Sequence, residues 1–125
     1  MITDELKKIL PEDRIKTRQI DLVSYAADAG FYYLLPKAVV QPVNETEVAG
    51  LFKFSQDTNT PLVFRTGGTS LSGQSITDGV LVDLSQFWNR ITIEEEGKTV
   101  RVQPGIIGAM VNARLKQFRR KIGPD

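Results

Sequence analysis

The sequence predicts a mixed α+β domain, in which a strand–helix–strand unit is followed by a further strand, a β-hairpin and a closing helix. Three observations carry this. Two short runs, "AVVQP" (38–42) and "LVFR" (62–65), are rich in β-branched and aromatic residues and flank an amphipathic stretch with its own start and stop signals. Apolar and polar residues alternate through "ITIEEE" (91–96) and "TVRVQP" (99–104), on either side of Gly97-Lys98. Apolar residues recur at helical spacing through "IIGAMVNARLKQFRRKI" (106–122).

Taken in order, "TDELKKIL" (3–10) reads as a short helix, capped by Thr3, with Asp4 and Glu5 in its first turn and Pro11 after its end. A helix over 21–28 stops before Gly30, and Phe31, Tyr32 and Tyr33 are expected to pack in the core or beside the sheet. The run at 38–42 is a buried strand closed by Pro42. Asn44 with Glu47 three residues on resembles a capping box and starts a helix that runs to about residue 58. Val48, Leu51, Phe52 and Ser55 share its inner face, and Asn59-Thr60-Pro61 ends it. The strands on its two sides should be parallel, because a crossover helix joins them. "GVLVDLS" (79–85) is the third strand. In the last helix Ile107, Met110, Val111, Leu115 and Phe118 point inward, and Gly123-Pro124 closes it.

Composition bounds the function. A chain of 125 residues is about one domain and can bury a core without staples. A net charge of +1 gives no field aimed at nucleic acid or a membrane surface. The cluster Arg119-Arg120-Lys121 reads as a helix C-terminus favoured by its dipole. With no cysteine and no histidine, disulfides, thiolate chemistry, a Ser-His-Asp relay and most zinc sites are excluded. No window has the roughly 18 apolar residues of a transmembrane helix, and the charged N-terminus is unlike a signal peptide. A cytosolic soluble domain is expected.

The stretch that asks for a chemical explanation is "FRTGGTSLSGQ" (64–74), with three glycines, four hydroxyl side chains and one arginine. No Asp or Glu occurs from Thr66 to Thr77. A Rossmann turn is rejected, because the spacing is not G-x-G-x-x-G and a strand follows where a helix should. A Walker loop is rejected, because no lysine lies between Lys53 and Lys98. Consecutive glycines can still gather backbone N–H groups into a concave anion nest. Ser70, Ser72 and the two threonines add hydroxyl donors, and Arg65 stands at the entrance. A connector between two strands would have the same composition, so both readings stand on spacing alone.

The residues around this loop resemble a known family. "PLVFRTGGTSLSGQSITDGVLVDLS" (61–85) is similar to the pyrophosphate loop of FAD-linked oxidases of the PCMH-type, or vanillyl-alcohol-oxidase, fold. "AVVQPVNETEVAGLFKFSQDTNTPLV" (38–63) resembles the opening strand and helix of that family, and "VQPGIIGAMVNARLKQFRRKIGPD" (102–125) its second signature. The segments "RQIDLVSYAADAGFYYLLPKAVV" and "RKIGPD" are most similar to long D-lactate or D-2-hydroxyglutarate dehydrogenases, which append an iron–sulfur domain to the flavin domain.

The resemblance implies a PCMH-type FAD-binding N-terminal subdomain over 38–125, truncated on its C-terminal side, after a helical or irregular lead-in over 1–37. It implies that Thr66, Gly67, Gly68, Thr69, Ser70, Leu71 and Ser72 wrap the FAD pyrophosphate, and that Gly73, Gln74 and Ser75 continue toward the ribityl chain and flavin. By the same resemblance Pro42 lies near the adenine end, Pro104 and Gly105 shape the cofactor wall, and Pro124 and Asp125 approach the flavin ring. Thr66 stands where the family has the first glycine of a triplet, and a positive φ there would strain it. FAD would be non-covalent, since there is no His or Cys to tether it. The parent implied by the resemblance, cytoplasmic or peripheral to the inner membrane, would oxidise a small D-2-hydroxy acid (D-lactate, glycolate or D-2-hydroxyglutarate) to its 2-keto acid. Its catalytic residues, and any iron–sulfur cluster, would lie outside this segment, which alone would be inactive. The other reading is a non-catalytic module that binds a different anion or a protein.

Overall fold

The computed structural model describes residues 1–123. In chain order its elements are α1 (Ile2–Lys7), β1 (Ile15–Lys16), α2 (Gln19–Ser24), β2 (Ala38–Val40), α3 (Glu45–Thr58), β3 (Leu62–Arg65), β4 (Val80–Asp83), β5 (Ile91–Glu94), β6 (Thr99–Val102) and α4 (Gly108–Leu115). Single 3₁₀ turns lie at Glu12–Arg14, Glu95–Gly97 and Lys116–Phe118. Four strands form one sheet in the order β1-β2-β4-β3, and β5 and β6 pair separately as an antiparallel hairpin. β2 and β3 run parallel as expected, with β4 inserted between them and parallel to both.

β4 is central because its residues are apolar on both faces until Asp83, and all of them are buried. Strand alternation sends Ala38, Val40, Val80 and Val82 to one face, against Leu51 and Phe54 of α3 and Leu6 of α1. Val39 and Leu81 go to the other face, against Leu22 of α2 and Tyr25. The lead-in therefore contributes to the same core as the sheet. Arg14 fastens it further through a bidentate pair to Glu47, with N–O distances of 2.7 and 2.6 Å. That pair holds the Glu47 carboxyl below its ordinary range. Glu47 Oε1 also accepts the Val43 N–H, and Asn44 Oδ1 accepts the Glu47 N–H, so the capping signal at the start of α3 is realised.

Several sequence expectations are corrected. α1 starts at Ile2 after Met1, so Thr3 lies inside the helix and caps nothing. α2 ends at Ser24, four residues short of the expected end. On α3 the inward aromatic is Phe54, while Phe52 is 56% exposed and lies over Phe64 with ring centroids 5.5 Å apart. Phe31, Tyr32 and Tyr33 are exposed, and an isolated bridge between Ala27 and Tyr33 turns this stretch back on itself. The hairpin turn is longer than expected. Glu95, Glu96 and Gly97 all take left-handed φ, and an added Cβ at Gly97 would lie 2.7 Å from Cβ of Phe118. α4 stops at Leu115, and the chain leaves the following 3₁₀ turn through a left-handed Arg119. Val111 and Leu115 are its buried residues, whereas Ile107 and Met110 are exposed. Among the described residues no helix is long and apolar enough to cross a membrane.

Candidate functional site

The three parallel strands end side by side, and their carboxyl ends carry the polar groups of the domain. β2 runs out into Gln41 and Pro42, β3 into Arg65 and the glycine loop, and β4 into Asp83. Ligands of open parallel sheets sit at this edge, where loops leave the strands.

The glycine loop shapes a pocket of about 320 Å³ lined by Arg65, Thr66, Gly68, Thr69, Ser70 and Gln74, with Phe64 and Ser75 behind. Among the described residues, the backbone N–H groups of Thr66, Gly67, Gly68, Thr69, Ser70 and Leu71 donate to no protein acceptor. The next amide, of Ser72, donates to Gln74 Oε1 at 3.1 Å. A run of six unengaged donors is unusual, because most backbone N–H groups in folded proteins find a partner. These residues are exposed or half-buried, so an acceptor from solvent can reach them.

Two glycines have left-handed φ, Gly68 at +68° and Gly73 at +76°. An added Cβ at Gly68 would lie 2.5 Å from Nε of Arg65, and one at Gly73 would lie 3.3 Å from Cδ2 of Tyr32. Gly67 has neither constraint: its φ is ordinary, and the nearest atom to an added Cβ is Cγ2 of Thr69 at 3.8 Å. Thr66 also avoids positive φ, so the strain considered for it does not arise.

Arg65 does not reach out to solvent as its place in the sequence implied. Its Nη1 donates to the carbonyls of Ala27 (3.0 Å) and Tyr25 (3.2 Å), and its guanidinium lies 5.4 Å from the Tyr25 ring centroid. It braces the loop from beneath. Ser70 is likewise corrected as a hydroxyl donor to a ligand. Its Oγ lies 2.6 Å from Asp28 Oδ2 and 2.7 Å from Ser75 Oγ, so its hydroxyl is turned inward.

Sequence reasoning missed Asp28, which brings a carboxylate to a loop that has none of its own. The Ser70 hydroxyl foremost, and then the Gly30 amide, hold its carboxyl below the ordinary range. An Asp accepting from the amide two residues on is an Asx turn, and "DAG" (28–30) was the available signal. Asp83 was missed as well. It is 1% exposed and accepts from the Tyr25 hydroxyl (2.7 Å), Gln41 Nε2 (3.2 Å) and the Ser85 N–H and hydroxyl. Burial, and then the bond to Asp83, push the Tyr25 phenol up to about 12.

The other expected site residues lie apart from the loop pocket. Pro42 is buried, and its carbonyl accepts from Trp88 Nε1 at 3.0 Å. Pro104 lines a second concavity of about 370 Å³ with Trp88, Arg90 and Arg101. Gly105 packs so closely that an added Cβ would lie 2.5 Å from the Trp88 carbonyl oxygen. Pro124 and Asp125 lie outside the described residues.

The chain is similar to known proteins. The family described as FAD binding domain matches residues 36–125. D-2-hydroxyglutarate dehydrogenase of Pantoea ananatis is 37% identical over 113 residues, covering 87% of this chain and 11% of that protein. Glycolate oxidase subunit GlcD of Bacillus subtilis is 36% identical over 115 residues, covering 86% of this chain and 24% of that protein. The chain thus spans between a tenth and a quarter of these relatives. Among solved structures, p-cresol methylhydroxylase superposes with a TM-score of 0.72 over 94% of this chain and 24% of that one, at 16% identity. That likeness shows the PCMH-type fold.

Proposed function

We propose that this chain, which belongs to the FAD binding domain family, is the first part of the flavin domain of an oxidoreductase that converts a D-2-hydroxy acid to its 2-keto acid. The observation that carries the reading is the run of six unengaged amides from Thr66 to Leu71 at the carboxyl end of β3. Such a run suits the bridging phosphates of a dinucleotide, whose oxygens only accept.

The residues present fit FAD. Thr66, Gly67, Gly68, Thr69, Ser70 and Leu71 hold the pyrophosphate by their N–H groups, and the hydroxyls of Thr66, Thr69 and Ser72 add donors. Gly67 lets a phosphate approach the backbone, since the nearest atom to an added Cβ there is Cγ2 of Thr69, at 3.8 Å. Gly73, Gln74 and Ser75 continue toward the ribityl chain. Pro42 belongs to the adenine end, Pro104 and Gly105 to the cofactor wall, and Pro124 and Asp125 to the flavin ring. When bound, FAD supplies a hydride acceptor for the α-carbon of the substrate. This segment has no His or Cys to bond it covalently, so these residues hold it by non-covalent contacts. The substrate class comes from relatives named for D-2-hydroxyglutarate and glycolate. Turnover belongs to a longer protein that adds the groups acting on the hydroxy acid.

Quenching of flavin fluorescence on titrating FAD, with ADP and inorganic phosphate as competitors, tests the reading. Saturable FAD binding in which ADP competes far better than phosphate is expected. Equal, weak binding of all three would favour a general anion module instead.

A further inference from the structure

We propose that Asp28 is a positioning residue for the glycine loop, fixing the hydroxyl order Ser75→Ser70→Asp28 and thereby leaving the loop's amides free for an anion. The inference rests on the pyrophosphate reading of the loop.

A serine hydroxyl has one hydrogen, and an ionised carboxylate can only accept. Ser70 Oγ is within hydrogen-bond distance of both Asp28 Oδ2 and Ser75 Oγ. The Ser70 hydrogen must therefore go to Asp28, and Ser75 must donate to Ser70. Both hydroxyls point their hydrogens into the protein.

The same segment holds the loop in two further ways. The Ala29 N–H donates to the Ser70 carbonyl at 3.0 Å, and the Gly30 N–H donates to Asp28 Oδ1 at 2.7 Å. Gly30 abuts the loop so closely that an added Cβ would lie 2.5 Å from the Leu71 carbonyl oxygen. At Ser70 the carbonyl and hydroxyl are both occupied, and the N–H alone is unengaged. A carboxylate beside an anion site is unfavourable on charge alone. Its presence is explained by this geometric duty, which a neutral apolar residue cannot perform.

Asp28→Ala, Ser70→Ala and the double variant test the proposal with two readouts. The first is the ¹⁵N order parameters of amides 66–71 without ligand, expected to fall from about 0.85 to below about 0.6 in each variant. The second is FAD affinity, expected to weaken about tenfold in each single variant, the order expected for one lost charge-assisted hydrogen bond. Because Asp28 acts chiefly through Ser70, the loss in the double variant should fall well short of the product of the two single losses. Unchanged order parameters, tighter FAD binding by Asp28→Ala, or losses that multiply in the double variant would each overturn the proposal. If Asp28→Ala does not fold, Ser70→Ala and Ser75→Ala must still loosen amides 66–71, and rigid amides there would refute it. If the unaltered chain takes up no FAD, the function reading fails while the order parameters still decide the role of Asp28.

Discussion

Exchanging the two adjacent glycines separates what the loop needs to fold from what it needs to bind. Gly68→Ala puts a Cβ at a φ of +68° and within 2.5 Å of Nε of Arg65. The left-handed backbone costs about 1–2 kcal/mol for a residue with a side chain. Displacing Arg65 loses two bonds to the Tyr25 and Ala27 carbonyls, about 1 kcal/mol each. The sum is about 3–4 kcal/mol, or a fall of about 1.5–2.7 M in urea midpoint at an m-value of about 1.5–2 kcal/mol/M. Gly67→Ala meets no atom closer than 3.8 Å at an ordinary φ. Loss of freedom in the unfolded chain should leave it neutral or stabilise it by about 0.4–1 kcal/mol. Its FAD affinity should nonetheless fall at least tenfold, because the methyl group occupies the space a phosphate would enter. Urea melts and flavin fluorescence titrations measure both quantities. A Gly68→Ala variant as stable as the parent, or a Gly67→Ala variant that binds FAD undiminished, would refute the reasoning.

Three further predictions follow from the same geometry. Gly30→Ala forces the 28–30 segment off the Leu71 carbonyl, so loop amides should show altered chemical shifts while residues of α3 keep theirs. Glu47 is held below its ordinary range by Arg14, so its stabilisation is present above the unfolded value and is lost as pH falls through the lowered one. Arg14→Met should therefore flatten the acid limb of the stability curve below about pH 4.5, and cost about 2–4 kcal/mol at neutral pH by breaking a mostly buried pair. Tyr25 is raised, so the folded state keeps its proton longer, and its stabilisation is full below pH 10 and lost as pH rises toward about 12. Partial solvent screening reduces that contribution to about 1 kcal/mol. A phenol titrating near pH 12 should vanish in Tyr25→Phe.

Much of the fold was legible because local chemistry and tertiary demand agree there. Asn44 and Glu47 announce α3, and the apolar runs at 38–40 and 80–82 announce strands covered on both faces. β1 was not legible, since two residues carry no periodicity and the strand exists only through its pairing with Val39 and Val40. The exposure of Phe31, Tyr32, Tyr33, Ile107 and Met110 was also hidden, because residue type signals a preference for burial without saying whether a partner surface is present. At the site, the glycine loop stood out by composition, but its support did not. Arg65 reads as a ligand-facing cation until the Tyr25 and Ala27 carbonyls are seen beneath it. Asp28 sits 42 residues from Ser70 in the chain, so no local pattern links them.

Amides 66–71 are the proposed seat of a dinucleotide's phosphates, and ¹H–¹⁵N spectra recorded while FAD is titrated test this most directly. Large downfield shifts of these amides at saturation, with ADP reproducing most of them, are predicted. Resonances of 66–71 that stay in place while FAD binds, or while shifts appear elsewhere on the domain, would contradict it.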